Sequence, residues 1–340
     1  MTSDLLNINF KLDGTSYSRD SLISYFKNNE LYYEFLNSWF NSDNFITVKT
    51  SGSTGSPKPI HLKKTDLISS AKLTSKFFKL PQGSKVINCL PLDYIAGKMM
   101  LIRSMVLGWD LNLFPVSSEP IKDISSVYDF IALTPMQLER SLDNIKYIKK
   151  VIVGGSPVSN RLQKKILKSE SVIYETYGMT ETITHVAVKN ISIGEKEFTA
   201  LPGVEIGQID SCLFISPNHL SIDRIQTNDL VELTAKNKFI LFGRRDFIIN
   251  SGGVKINPES VEKKLSNYIS SDFVISSIDN VEFGEIVVLV FKKNIPIGYQ
   301  SSFKCLEKYE IPKDVLVIDN FPETNGKLNR LKIRKLINHN

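Results

Sequence analysis

The nine residues Thr50-Ser-Gly-Ser-Thr-Gly-Ser-Pro-Lys58 concentrate two glycines, five hydroxyls and a terminal lysine. Glycine lets main-chain N–H groups close on an anion, hydroxyls donate and lysine adds charge, so the segment suits a polyphosphate. It is not a Walker loop, because Gly52 and Gly55 are three apart and Pro57 precedes Lys58. A second cluster, Tyr177-Gly-Met-Thr-Glu-Thr182, follows the β-branched run from Ser171 to Thr176. At the carboxyl end of a parallel strand, Glu181 is placed to hold a Mg²⁺ that bridges phosphates, and Tyr177 offers a flat face to a purine. Val153-Gly-Gly-Ser-Pro157 ends another expected strand and lets the backbone approach a ligand plane. Taken singly, each segment also reads as an ordinary turn.

The elements that must hold these residues are legible as alternation. From about residue 60 to 190, short β-branched runs (Lys85 to Leu90, Asp110 to Phe114, Asp129 to Leu133, Lys150 to Val153) alternate with helical patterns at Gly97 to Leu107, near Pro135, and at Ser159 to Lys168. Such alternation predicts an α/β fold with a largely parallel sheet covered by helices. From Val186 to Leu241 the helical period gives way to short strands separated at Pro202-Gly203, Pro217-Asn218 and Asn237, a β-rich continuation. After Gly243-Arg-Arg-Asp246 a smaller α+β unit is expected: a short strand, a helix capped by Asn257 with Pro258 at its first position, two strands, and a basic helix after Asn329. The expected division is a large domain over residues 1–245 and a small one over 246–340.

Composition sets the outer limits. The 340 residues are 42% hydrophobic and 23% charged, within the range of ordinary globular proteins, and the net charge of +6 suits an anionic ligand without demanding nucleic acid. Cys89, Cys212 and Cys305 are distant and form no C-x-x-C pair, so neither a disulfide framework nor a zinc site is expected. The first ten residues lack a basic segment leading into an apolar stretch, and runs such as Ile286 to Phe291 are far short of the about 20 residues that span a bilayer. A cytoplasmic protein without membrane insertion is expected.

In this order the segments resemble the adenylate-forming superfamily of acyl-CoA synthetases, adenylation domains and luciferases. The matching features are the T-S-G-[ST]-T-G-x-P-K loop, the Y-G-x-T-E segment, the G-R-x-D hinge and the P-x-T-x-G-K lysine of Pro322-Glu-Thr-Asn-Gly-Lys327, together spanning about residues 47–330. The resemblance implies that a carboxylate is joined to the α-phosphate of MgATP with release of pyrophosphate, and that coenzyme A then displaces AMP. It implies that Thr50, Ser51, Gly52, Ser53, Thr54, Gly55 and Lys58 surround the β- and γ-phosphates. Gly154, Gly155 and Ser156 would lie along the adenine, Tyr177 would stack on it and Gly178 would adjoin it. Thr180 would touch the α-phosphate, Glu181 would coordinate Mg²⁺, Asp229 would hold the ribose, and Arg244 would reach ribose or phosphate. Lys327 is implied as the catalytic cation, because an ammonium between the attacking carboxylate and the phosphate stabilises the transition state above the ground state. Asp246 is implied as the hinge, and Ser251, Gly252 and Gly253 as part of the coenzyme A entrance.

Ser251-Gly-Gly-Val-Lys-Ile-Asn-Pro-Glu259 and the compact Leu90-Pro-Leu-Asp-Tyr-Ile-Ala-Gly-Lys-Met-Met100 segment are further similar to short o-succinylbenzoate-CoA ligases of menaquinone synthesis. That similarity implies a small carboxylic acid substrate with Tyr94 and Gly97 bordering its pocket. Three departures stand out. Only 49 residues precede the phosphate loop, which predicts a reduced N-terminal lobe; Tyr94 stands where histidine is usual; and Asn228 replaces glycine in the usual T-G-D. Lys98, Arg103 and His185 are the nearby groups able to meet a second carboxylate, and the sequence assigns none of them. Rival readings are a ligase for another aryl or acyl acid and, from a different class, a catalytically idle nucleotide-binding module. A peptide-synthetase adenylation domain fits less well, since no phosphopantetheine site follows Lys327.

Overall fold

The computed structural model describes residues 5–49, 59–167, 169–324 and 327–338. The parallel half of the expected sheet is present: Val172–Gly178, Ile148–Val153, Tyr128–Leu133, Lys85–Asn88 and Asp110–Leu113 lie side by side and parallel in that order. Their period-two pattern fills two cores at once. Val86, Phe130 and Ile152 point into a core under the helices Lys64–Phe78 and Ile95–Leu107. Ile87, Ile131, Val151 and Val153 point the other way, onto Leu138, Leu162 and Ile166 of the helices Pro135–Arg140 and Asn160–Ile166. Burial on both faces is why these strands read as continuous apolar runs.

The β-rich stretch continues the same sheet rather than forming a separate layer. His185–Asn190 pairs antiparallel with Val172–Gly178, and the strands Phe198–Ala200, Lys238–Arg244, Ile225–Ala235, Cys212–Pro217 and Val204–Ile209 follow outward. At the opposite end, Lys11–Leu12 adds parallel to Asp110–Leu113 and is followed by Thr15–Ser16, completing a thirteen-stranded sheet. Between this pair and the hairpin Phe45–Lys49/Pro59–Lys63 lie the helices Arg19–Tyr25 and Glu30–Phe40. The second helix drives Trp39 and Leu36 into the core, both with no exposed surface.

The large sheet ends at Arg244 and a second, five-stranded sheet starts at Ile249, with the 3-10 turn Arg245–Phe247 between them. Asn257 caps the helix Pro258–Leu265 by accepting from the N–H groups of Glu259 and Ser260, as its spacing from Pro258 predicts. The helix packs on Phe273–Asn280 and Gly284–Lys292. The sequence predicts one short strand before this helix and two after it. There are two before it, Ile249–Ser251 and Val254–Ile256, and Asp314–Ile318 joins Gly284–Lys292 in parallel. That last strand escaped because it is brief and only half-buried, so its side chains carry little alternation.

Candidate active site

The chain runs from Lys85–Asn88 to Asp110–Leu113 on one side and then to Tyr128–Leu133 on the other, so the strand order reverses there. In open α/β sheets a crevice opens at such a switch, outside the carboxyl ends of the strands. The turns at those ends are Leu90 to Tyr94, Gly154 to Ser156 and Met179 to Thr184. The segment Thr50 to Lys58, which joins the strands Phe45–Lys49 and Pro59–Lys63, lies outside the described residues, as does the side chain of Lys327. The expected positions of Thr50, Ser51, Gly52, Ser53, Thr54, Gly55, Lys58 and the Lys327 ammonium are therefore expectations of sequence alone.

In the first turn Gly97 sits against the chain that precedes it. A Cβ there would lie 2.3 Å from the carbonyl oxygen of Pro91, so only glycine lets the helix Ile95–Leu107 begin so close to the turn. Tyr94 stands just before that helix with 39% of its surface exposed. The Lys98 ammonium donates to the carbonyl of Leu92 and ties the turn shut.

In the second turn Gly154 donates its N–H to Leu133 O at 3.1 Å, and Gly155 adopts φ +94°. The turn is braced from below: the Glu175 carboxylate accepts the Val158 N–H at 3.1 Å and pairs with Lys189 Nζ at 2.7 Å, both side chains nearly buried. Gly155 and Ser156 remain exposed above that brace.

The third turn differs from expectation in one respect, since the strand runs two residues further and takes in Tyr177 and Gly178. The chain then reverses sharply. Ile183, a buried β-branched residue, is held at φ +68°, a conformation that costs on the order of 1–3 kcal/mol and persists only when its surroundings enforce it. Here the Thr182 hydroxyl enforces it by bonding Thr184 O at 2.8 Å and meeting the Met179 main chain at 3.0 Å. The result is to present Thr180 half-buried and Glu181 exposed at the tip. Among the described residues no three His, Cys, Asp or Glu side chains converge as a metal site. A single exposed carboxylate beside a hydroxyl is the donor set of a Mg²⁺ that keeps waters and shares substrate phosphates, so these residues fit that ion.

Tyr177 is buried, edge-on to Phe239 at 5.3 Å between ring centres, and donates its phenol to Asp229 Oδ2 at 2.5 Å. Burial raises the pKa values of both groups, while the shared hydrogen bond and Arg244 favour the ionised Asp229. Asp229 faces Arg244 across the strand pair, Arg244 Nη2 meets Asp246 Oδ2 at 2.7 Å, and Asn228 Nδ2 donates to Asp246 Oδ1 at 3.0 Å. Thus Tyr177, Asp229, Arg244 and Asp246, singled out separately by sequence, form one connected polar track. Ser251, Gly252 and Gly253 lie beyond it in the small sheet, where Gly252 donates its N–H to Phe283 O at 2.9 Å.

One group that sequence reasoning left unassigned stands out. Arg103 is 1% exposed, where a helix-surface charge would be solvated, and among the described residues no carboxylate pairs with it. Its Nη2 donates to Thr184 Oγ1 at 2.9 Å, and that hydroxyl lies 3.1 Å from His185 Nδ1. His185 Nε2 is buried and has no hydrogen-bond partner among the described residues. Burial pulls Arg103 down to about 9, still cationic at neutral pH, and together with the neighbouring guanidinium holds His185 well below its usual range and neutral. The sequence signal was there: one arginine inside the apolar run Met99 to Val106.

A family model described as AMP-binding enzyme matches residues 34–210, just over half of the molecule. The chain belongs to the AMP-binding enzyme family. A solved family protein from Dyadobacter fermentans, described as an acyl-CoA synthetase (AMP-forming)/AMP-acid ligase II-like protein, shares 32% identity and a TM-score of 0.60 over 91% of this chain and 95% of its own. The 2-succinylbenzoate–CoA ligase of Staphylococcus epidermidis is 23% identical over 87% of this chain and 70% of its length. An o-succinylbenzoate CoA synthetase from Bacillus subtilis, solved with the acyl-adenylate OSB-AMP, shares the fold at a TM-score of 0.73, 20% identity, 85% of this chain and 68% of that one. No helix among the described residues of this AMP-binding enzyme is long and apolar enough to cross a membrane.

Proposed function

We propose that this AMP-binding enzyme is an ATP-dependent, AMP-forming acid–thiol ligase whose acid is 2-succinylbenzoate, acting in the cytoplasm. Arg103, buried and with no carboxylate beside it among the described residues, carries the choice of acid. An uncompensated buried cation is costly, and a substrate with a second carboxylate supplies the missing partner. The acid named by the relatives has such a group in addition to the one that reacts.

In this reading the turn at Tyr94 and Gly97 borders the acyl group and Arg103 receives its distal carboxylate. The loop Thr50 to Lys58 and Thr180 hold the phosphates, Gly154, Gly155, Ser156, Tyr177 and Gly178 frame the base, and Asp229 with Arg244 holds the ribose. A Mg²⁺ held at Glu181 supplies charge neutralisation to the phosphates when bound. The reacting carboxylate attacks the α-phosphorus, the bond to pyrophosphate breaks, and Lys327 stabilises the charge that builds on the α-phosphate. The small unit, residues 246–340, then turns about Asp246 and brings Ser251 to Gly253 to the entrance. Through it the coenzyme A thiol attacks the acyl carbon and releases AMP.

The test is pyrophosphate release over a panel of carboxylic acids with and without coenzyme A, read alongside mass detection of the thioester. A coenzyme-A-dependent response to 2-succinylbenzoate alone supports the reading. A response to a monocarboxylic acid keeps the chemistry and overturns the substrate, and silence across the panel overturns both.

A further inference from the structure

Lys327 sits on a hairpin, Glu323–Thr324 paired with Lys327–Leu328, that has only two residues in each strand. So short a ladder cannot hold its own geometry, and a catalytic side chain displaced by about 1 Å loses on the order of 10²-fold in rate. Something beyond the hairpin must fix it. Asn329 does part of this, donating Nδ2 to Thr324 Oγ1 and its main-chain N–H to Pro322 O, each at 2.8 Å. The next residue, Arg330, reads in the sequence as one cation of a basic, solvated helix face, but its side chain is only 14% exposed.

Its guanidinium is forked onto Glu262, with Nη1 to Oε1 at 2.8 Å and Nη2 to Oε2 at 2.5 Å, and its Nε lies 3.9 Å from Glu259 Oε1. Phe247 of the linking turn lies 5.7 Å from the guanidinium carbon. Both carboxylates have a second attachment: Glu262 accepts the Ile275 N–H at 2.7 Å, and Glu259 accepts the Arg244 N–H, on the last strand of the large sheet, at 2.8 Å. The approach is close enough that a Cβ on Gly243 would lie 1.9 Å from Glu259 Oε2. One guanidinium therefore links the lysine-bearing turn, the helix Pro258–Leu265, the second sheet and the end of the first.

Resting on the reading of Lys327 given above, we infer that Arg330, through its fork on Glu262 and its contact with Glu259, is a positioning residue that registers Lys327 against the large sheet for the adenylation step. It touches no reacting atom. Lysine cannot replace it, because an ammonium lacks the planar two-point geometry that a carboxylate fork requires.

The two half-reactions are measured apart on the full chain, as acid-dependent ATP–pyrophosphate exchange and as thioester formation from the preformed acyl-adenylate with coenzyme A. Arg330→Lys, and Glu262→Gln as a second variant should the first fold poorly, are expected to lower kcat of exchange at least about tenfold. KM for ATP and the rate of thioester formation should stay within about twofold of the parent. Lys327→Ala should show the same split, and adding Arg330→Lys to it should cost little more, because both losses act through one group. Equal losses in both half-reactions, or full additivity in the double variant, overturn the inference and leave Arg330 a purely structural residue. Exchange retained in Arg330→Lys and Glu262→Gln but lost in Lys327→Ala overturns the inference alone. Exchange retained in Lys327→Ala overturns the reading of the lysine, and with it the inference.

Discussion

The Arg103 guanidinium has a hydroxyl for company and no carboxylate among the described residues, so its substitution should act on the acid and spare the nucleotide. Arg103→Lys is expected to lower kcat/KM for the dicarboxylate about ten- to a hundredfold, the worth of a charged hydrogen bond, with KM for ATP within about twofold; initial rates with each substrate varied check it. Asp229 is set the other way, since burial raises its pKa and makes its ionised form a net cost to the fold. A group raised in this way contributes stability below its unfolded pKa and loses that contribution as pH rises through the folded one. Asp229→Asn should accordingly melt higher than the parent at pH 8, by a few degrees, and no higher at pH 3, while binding ATP more weakly. Thermal melts at the two pH values and an ATP titration check this. Tyr177, Asp229, Arg244 and Asp246 were each legible in the sequence from their motifs. Their union was not, because it depends on Asp229 and Arg244 falling opposite each other across a strand pair interrupted by register shifts.

At the scale of elements, the turns of the candidate active site are set by close approach more than by side-chain type. Gly178→Ala would place a Cβ 2.3 Å from Thr184 O, in the turn already strained at Ile183. We expect about 2–4 kcal/mol of destabilisation and loss of adenylation, measured by denaturant unfolding and pyrophosphate exchange. Helix positions were readable where a local signal marks the start: Asn257 accepts from the N–H groups that its spacing from Pro258 predicts, whereas no such Asn-Pro pair announces the helices Arg19–Tyr25, Glu30–Phe40 and Lys64–Phe78. Buried polar partners were the least readable. Glu175 and Lys189 lie on adjacent antiparallel strands, and Arg330 finds Glu262 some seventy residues away, so no local pattern distinguishes them from solvated charges.

Over the whole molecule, the large sheet and the small one meet at a turn whose Asp246 is gripped by Arg244 and by Asn228, the residue that stands in place of glycine. Asn228→Gly removes one exposed hydrogen bond contributing about 0.5–1.5 kcal/mol. It should speed thioester formation from the acyl-adenylate by about two- to tenfold, with exchange little changed, as rapid-quench measurements would reveal. The α/β class, the β-rich continuation and the smaller α+β unit were all readable from alternation; the single continuous sheet was not, because pairing partners across a change from parallel to antiparallel leave no periodic trace. That sheet ends in a modest feature with a large consequence. Lys11–Leu12 lies along Asp110–Leu113, reinforced by Asp13 accepting the Leu113 N–H at 3.2 Å and by Gly14 donating to Asp110 at 2.9 Å. Those few residues occupy main-chain groups that would otherwise be an open template for strand addition, so stripping them away would invite self-association through the bared edge long before the turns at the strand ends were disturbed.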